Sequence, residues 1–416
     1  MWNMKDTYAV LKRKLLSEYG ENPVITVFLS ATVFMFVLCI LLGLVSTGWT
    51  FDWMLFGDSN DTFMDFFNSV MYSSDRPYTY WEIIYPPLIT VFYGIIGYYT
   101  IPHVVHHPGQ TLAFDLRESQ VSMMVFIIIC LALLYFLHRF VGHVTEESLG
   151  RHKAELLFLV LLFSFPVLFA LERGNSIMIA LVCLMVFVEL YRSDNRAVRI
   201  IAYIALGCAA GIKIFPAIFA LLILRERQYK EFVICFVVVT AILLAPFILT
   251  DGNIFLLLSA ITSDLDSAAY SNGVLNFNDL VNYLHLPPVL GTALGLAFTA
   301  ICALTVVLKK DMPEWKAVAM ISCTLVLCFS LGVQYLLVYM IIPLLYFLKE
   351  EKSLKANFIY IILFIVIFAL LPAFVSNGVK YIGTFKALAV LIMFVVLAIE
   401  TYRCKEKSKE ADDGPL

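Results

Sequence analysis

Thirteen apolar runs divide this chain, near residues 24–46, 85–105, 120–137, 155–171, 174–191, 200–215, 216–224, 231–250, 288–308, 317–333, 335–348, 357–372 and 383–401. Crossing the hydrocarbon of a bilayer as a helix takes about 20 apolar residues, fewer where a helix is short and partly buried in protein. No soluble fold has an interior that would hold so many such runs. Of the 416 residues, 61% are hydrophobic and 15% charged, whereas globular chains have roughly 45–50% and 25%. A cytosolic enzyme, a nucleic-acid binder and a disordered chain are excluded, and the expected class is a polytopic membrane protein.

Charge orients the runs. With a cytoplasmic N-terminus, and with 85–105 kept on the outer side as a juxtamembrane or re-entrant element, the remaining runs give about 12 spans and both termini lie in the cytoplasm. Lys and Arg then sort sharply: 23 of 29 fall in cytoplasmic segments, the bias that sets membrane orientation. The other six are Arg76, Arg117, Arg173, Lys213, Lys380 and Lys386. The segment 200–224, with Pro216 in its middle, reads as a short hairpin or one broken span. The lead before Val24 is polar, and the run that follows is too long for a signal-peptide core, so it reads as a retained signal anchor. Eight of the nine cysteines sit inside apolar runs without paired spacing, which argues against a disulfide framework or a thiolate metal site.

Two outward segments are long, about 47–84 and 251–287. The first carries Asp52, Asp58, Asp61, Asp65, Asp75 and Glu82 against the single Arg76; the second carries four aspartates and no Lys or Arg. Long loops on a compact bundle are where function concentrates, so the chemistry is expected on the outer face. At helical spacing Asp58, Asp61 and Asp65 share one face, with Asp58 and Asp65 about 20° apart, while Phe63, Phe66 and Phe67 point largely elsewhere. Carboxylates aimed into a water-filled pocket suit a general base or a metal. A plain capped helix beginning at Ser59 or Asn60 would place Asp58 and Asp61 at its start and Asp65 beyond the first turn.

The candidates continue downstream. Tyr78, Tyr80, Trp81 and Tyr85-Pro86-Pro87-Leu88 read either as an interfacial aromatic belt opening a helix or as site residues. Arg173-Gly174-Asn175 falls between two apolar runs with no room for a loop. A charge near the bilayer centre costs roughly 2.5–3.5 kcal/mol, so Arg173 needs a partner such as Glu172 or an anion. Gly211-Ile212-Lys213-Ile214-Phe215-Pro216 sets a lysine at a proline break, the kind of interrupted helix on which membrane proteins build ion sites. Arginine as a planar fork and lysine as a point charge would together suit a phosphate. His103, His106 and His107 invite a zinc reading, but they lack the glutamate of H-E-x-x-H and the nearest carboxylate is Asp115. Ser271-Asn272 and Gln334-Tyr335 are polar breaks that could line the same outer cavity.

In this order the motifs resemble the GT-C superfamily, above all the DUF2029-type polyprenol-phosphate-mannose-dependent mannosyltransferases. The motifs are Met64-Asp65-Phe66-Phe67 after the first span, Tyr85-Pro86-Pro87-Leu88, Arg173-Gly174-Asn175, Gly-x-Lys-x-x-Pro at 211–216 and an asparagine in the later outer loop. The resemblance covers roughly residues 20–340. It implies an all-α, GT-C-like transmembrane bundle whose first outer loop forms a juxtamembrane helix. It also implies inverting transfer of a sugar, mannose by likeness, from a polyprenyl-phosphate donor to a hydroxyl of a glycolipid or glycan acceptor in the cell envelope. Asp65, with Asp61 or Asp58 as alternatives, would deprotonate the acceptor; Arg173 and Lys213 would bind the donor phosphate; Tyr85, Asn175, Asn272 and Gln334 would line the pocket. A polyprenyl phosphate leaves readily, so one carboxylate base suffices and no cofactor is required, although the aspartates could hold a divalent cation.

The organisation expected is a cytoplasmic lead over 1–23, a catalytic module over 24–340, C-terminal transmembrane helices over 341–402 and a cytoplasmic tail over 403–416. The expected setting is a bacterial plasma membrane with the site facing outward, embedded in lipid and without nucleic acid. A transporter or flippase of lipid-linked saccharides would need related halves and a midplane path, neither of which the sequence displays. A saccharide polymerase remains an alternative because of the second long outer loop.

Overall fold

The computed structural model describes residues 22–48, 50, 59–267, 276–328, 334–371, 375–376 and 379–412. Asp58 and Asn272 lie outside them, as does nearly all of the N-terminal lead. The regular structure of the described residues is helical except for one two-residue antiparallel ribbon pairing Val375 with Lys380 and Ser376 with Val379. In order the helices are α1 (Pro23–Val45), α2 (Met64–Ser74), α3 (Pro87–Thr100), α4 (Leu112–Glu118), α5 (Gln120–Leu149), α6 (Arg151–Leu162), α7 (Phe165–Arg173), α8 (Ile177–Leu190) and α9 (Arg196–Ile212). There follow α10 (Leu221–Arg225), α11 (Tyr229–Leu244), α12 (Ile254–Ser267), α13 (Phe277–Tyr283), α14 (Val289–Leu308), α15 (Glu314–Cys328), α16 (Ile341–Glu350), α17 (Leu354–Phe368) and α18 (Ile382–Asp412).

Five of these stretches are long and apolar enough to cross a membrane: Pro23–Val45, Gln120–Leu149, Tyr229–Leu249, Val289–Leu308 and Ile382–Tyr402. A sixth is the pair α6 and α7, bent by 49° where Phe163 and Ser164 interrupt the helix ahead of Pro166. The protein is thus a multi-span α-helical membrane protein. The other apolar runs fold as shorter helices. At their centre α15 and α16 are buried on every side, from Trp315 to Leu327 and from Ile341 to Leu348. A helix apolar all round belongs in the middle of a bundle, and α11 and α14 show the complementary pattern, with Val233, Phe236, Val237, Leu296 and Leu304 exposed where lipid would lie.

The polar segments gather at two ends. Arg192 pairs with both Glu226 and Glu314, Arg199 with Glu231, and Lys316 with Glu400, while Trp315 donates to Glu351. Buried Arg225 donates to the carbonyls of Lys310 and Met312. The segments read from sequence as basic cytoplasmic loops therefore meet one another at one end. At the other end lie α2 and α3, the α7–α8 turn, the end of α9 and the start of α12.

Three local features shape that second end. The run 85–105 forms α3, only 14 residues long, which packs against α2 with Gly94 and Gly97 beside Ser73 and Ser74. The segment 200–224 is a broken element: α9 stops at Ile212, Lys213 is extended, and a 3₁₀ turn over Phe215–Ala220 containing Pro216 leads into α10. The second long outer segment is itself helical, carrying α12 and α13. Lys386 has a structural post. Its ammonium is fully buried and donates to the carbonyls of Val366, Ile367 and Ala369 at 2.8, 2.9 and 2.8 Å, closing the otherwise unpaired C-terminal carbonyls of α17.

Candidate active site

The site starts from a turn that no alanine-like residue would favour. Gly174 follows α7 in the left-handed region, φ +66°, and its N–H bonds back to Leu171 while that of Asn175 bonds to Ala170. This is a glycine-capped helix end, and it reverses the chain into α8 within three residues. Phe63 comes against it, also left-handed at φ +63°, its N–H donating 2.7 Å to the carbonyl of Glu172. A Cβ on Gly174 would lie 3.0 Å from the Phe63 oxygen. The missing side chain lets the first outer loop dock onto the Arg-Gly-Asn turn.

The docking joins charges that are far apart in sequence. One arm of the Arg173 guanidinium, Nη1, donates to the Asp61 carboxylate, and the other, Nη2, lies 2.5 Å from Asp65 Oδ1. Asn175 Nδ2 donates to the second Asp65 oxygen at 2.7 Å, while its own Oδ1 accepts from Ile177 N and caps α8. Arg117 of α4 fixes the approach by donating to the carbonyls of Asn60 and Thr62. On the far side of α2, Phe66 and Phe67 are buried and pack with Phe63 around Phe126 of α5. Burying each such ring contributes about 1.5–3 kcal/mol, enough to hold the polar face in place.

The helix itself differs from the sequence expectation. It begins at Met64, not near Ser59, because the left-handed Phe63 interrupts it, and Asp61 sits in a separate 3₁₀ turn over Ser59–Asp61. Asp61 and Asp65 converge through that reversal and through Arg173, not by sharing a helical face. Asp65 also lies inside the first turn of α2 and not beyond it. Arg173 reaches these two carboxylates; the pairing with Glu172 considered from sequence is replaced by a bond from Phe63 to the Glu172 backbone.

Lys213 occupies the neighbouring cleft. Its Nζ stands 4.3 Å from the ring centre of Tyr85 and 5.6 Å from that of Tyr335, a cation between two π faces. Gly211 makes this possible, since a Cβ there would meet Leu88 at 2.8 Å; the Tyr-Pro-Pro-Leu segment can thus lie directly on the end of α9. The cleft, of about 50 Å³, is lined by Tyr85, Pro86, Lys213, Phe215, Ile261 and Tyr335. Tyr335 turns its ring to Lys213, as Tyr85 does, within the cleft lining. Lys213 and Asp65 interact electrostatically across it. Gln334, buried at the start of this turn, leaves its Oε1 without a hydrogen bond among the described residues, and it is Tyr335 that faces the cleft. From sequence Tyr335 stood only with Gln334, as a polar break that could line the outer cavity; its ring contact with Lys213 is added by the structure.

The two outer segments are tied together beside the cleft. The Asp251 carboxylate accepts from Tyr78 N at 3.1 Å, Thr79 N at 3.0 Å and Thr79 Oγ1 at 2.5 Å. Burial pushes this carboxyl up, but the hydrogen bonds outweigh it and hold it below the ordinary carboxylate range. Tyr78 in turn donates 2.8 Å to the carbonyl of Tyr85. The histidine motif has a different role from the one its spacing suggested. His106 Nδ1 and His107 Nδ1 lie 2.5 and 3.1 Å from the two oxygens of buried Asp115. An ionised carboxylate only accepts, so both Nδ1 atoms carry the proton. Among the described residues no three His, Cys, Asp or Glu side chains are grouped to hold a metal ion.

The fold and this end of it define a multi-span helical membrane protein with paired aspartates, a forked arginine and a lysine between aromatic rings gathered at one end. The sequence model of glycosyltransferase family 87 matches residues 83–334, more than half of the chain, and the chain belongs to that family, one of the GT-C clan. The protein is accordingly a membrane glycosyltransferase. The matched stretch contains Tyr85, Arg173, Asn175, Lys213 and Gln334, whereas Asp61 and Asp65 precede it. No curated protein and no solved structure matches the chain.

Proposed function

We propose that the protein transfers a hexose, mannose on the resemblance to DUF2029-type enzymes, from a polyprenyl-phosphate donor to a hydroxyl of a glycolipid or glycan acceptor, with inversion. The observation that carries this reading is the fork of Arg173 between Asp61 and Asp65 beside caged Lys213. Asp65 takes the proton of the acceptor hydroxyl; the oxygen so freed attacks the anomeric carbon, and the bond from that carbon to the phosphate breaks with its electron pair. Arg173 and Lys213 meet the charge that develops on the departing phosphate. Each Asp65 oxygen keeps a lone pair beyond those used by Arg173 and Asn175, so the carboxylate can also accept from the acceptor. Tyr85, Asn175 and Tyr335 hold these groups in place; no cofactor enters a step.

On this reading residues 24–340 form the catalytic module, 341–402 the C-terminal membrane helices, and the chain crosses a plasma membrane about twelve times with both termini inside and the site outside. Membership of a glycosyltransferase family supports transfer over transport.

The test is transfer from radiolabelled polyprenyl-phosphate mannose by purified protein in nanodiscs. Asp65→Asn and Lys213→Ala, folded as judged by gel filtration and thermal melting, should each lose transfer. Full activity in both would overturn the assignment of roles.

A further inference from the structure

Helix α2 has a second polar residue on the face that carries Asp65, and an aromatic platform at its end. Met64, Phe66, Phe67, Ser69 and Val70 are buried, while Asp65, Asn68 and Tyr72 are half-exposed. Their spacing of three and seven residues puts them in one stripe, and Tyr72 lies about 10 Å along the axis from Asp65. Asn68 makes no side-chain hydrogen bond among the described residues, although it stands one turn from the carboxylate. Tyr72 packs on Trp81 with ring centres 4.8 Å apart, and Tyr80 meets Trp81 edge to face at 4.9 Å. Both loop aromatics are exposed, Tyr80 by 59% and Trp81 by 38%.

The platform is built, not loose. Tyr80 N and Trp81 N bond to the Arg76 carbonyl, Ile83 N to that of Pro77, and Asp251 clamps Tyr78 and Thr79 just before them. Its rim is charged. Asp75, Arg76 and Glu82 are exposed around it, and the Arg76 guanidinium sits 5.1 Å from the Tyr80 ring centre. Carboxylate, amide and aromatic ring in sequence along a stripe match a pyranose chain, whose hydroxyls take hydrogen bonds and whose C–H faces stack on rings.

We propose that Asn68, Tyr72, Trp81 and Tyr80 form an acceptor subsite, and that the acceptor is a glycan of two or more sugars. Its terminal hydroxyl reaches Asp65, Asn68 binds a neighbouring hydroxyl, and the next ring lies on the Tyr72–Trp81 platform. The inference rests on the transferase reading of Asp65 and adds the substrate class.

The experiment uses full-length protein in nanodiscs and octyl glycosides of mannose, glucose and galactose with one, two or three sugar units. Saturation-transfer NMR without donor reads binding; label transfer from polyprenyl-phosphate mannose reads turnover. For at least one series, affinity should rise about tenfold from one to two units in wild type. Trp81→Ala should erase that rise, Trp81→Phe should keep most of it, surface Tyr80→Ala should reduce it, and Asp65→Asn should lose transfer while keeping the rise from one to two units. Equal binding of one- and two-unit glycosides, an unchanged rise in Trp81→Ala and Tyr80→Ala, or no binding across the panel would overturn the proposal. So would quenching of Trp81 fluorescence by brominated lipids, the mark of an interface anchor. Transfer with an acceptor preference indifferent to Trp81 would remove the subsite and leave the transferase; Trp81-dependent binding without any transfer would do the reverse.

Discussion

Gly174 and Phe63 meet backbone to backbone, both in the left-handed region, and a methyl group on Gly174 would lie 3.0 Å from the Phe63 carbonyl oxygen and 3.0 Å from the Phe66 Cβ. Gly174→Ala therefore combines a left-handed strain of roughly 1–2 kcal/mol with a clash at the contact that presents Asp61 and Asp65 to Arg173. The variant should melt a few degrees lower and lose transfer by more than its loss of folded protein explains. Differential scanning fluorimetry beside initial rates checks this; full activity at a lowered melting point would show that the turn is only structural.

Arg173→Lys separates charge from shape. Lysine keeps the positive charge but offers no planar fork, so it cannot engage Asp61 and Asp65 from opposite arms. Losing one charge-assisted hydrogen bond costs about 2 kcal/mol, roughly a thirtyfold fall in kcat/KM. Steady-state rates with varied donor read the effect, and a loss under threefold would mean that charge alone matters there.

Gly211→Ala should be rescued by a second change. Its Cβ would strike Leu88 Cδ2 at 2.8 Å and push Tyr85 away from Lys213. Leu88→Ala vacates that volume, so the double variant should recover more donor affinity than either effect alone allows. A double-mutant cycle on the donor KM measures the coupling; strict additivity would place Leu88 and Gly211 out of contact.

Asp115 gives an acid limb. Burial raises its carboxyl, but the hydrogen bonds from His106 and His107 prevail and hold it below its ordinary value. A carboxyl depressed by folding stabilises above its unfolded value, about 3.9, and that contribution is lost as pH falls through the folded value. The melting temperature should thus be flat above about pH 5 and drop below about pH 4. Asp115→Asn should melt lower near neutrality and show a shallower acid drop; identical acid limbs would contradict it.

Much of this end of the molecule was legible in the sequence because membrane-depth charge is rare and must be answered. Arg173 and Lys213 stood out for that reason, and the glycines beside them mark close approaches, of the Phe63 backbone to Gly174 and of the Leu88 side chain to Gly211. The same reasoning could not separate Lys386, which closes the end of α17, from Lys213, since only tertiary contacts say whether a buried ammonium faces carbonyls or an open cleft. Helical periodicity misplaced the start of α2 because the left-handed Phe63 is imposed by its contact with Gly174, residues 111 positions apart. Tyr335 was legible only as part of the polar break beside Gln334, because an aromatic next to an apolar run gives no sign of its partner until its ring is seen beside the lysine.

The fork of Arg173 has a chemical consequence. Its two arms engage Asp61 and Asp65, and Asp65 gives its other oxygen to Asn175. On the proposed reading the same guanidinium holds the carboxylate that takes the acceptor's proton and meets the phosphate that leaves. One side chain then ties the two ends of the reaction together, so a change at either end is felt at the other.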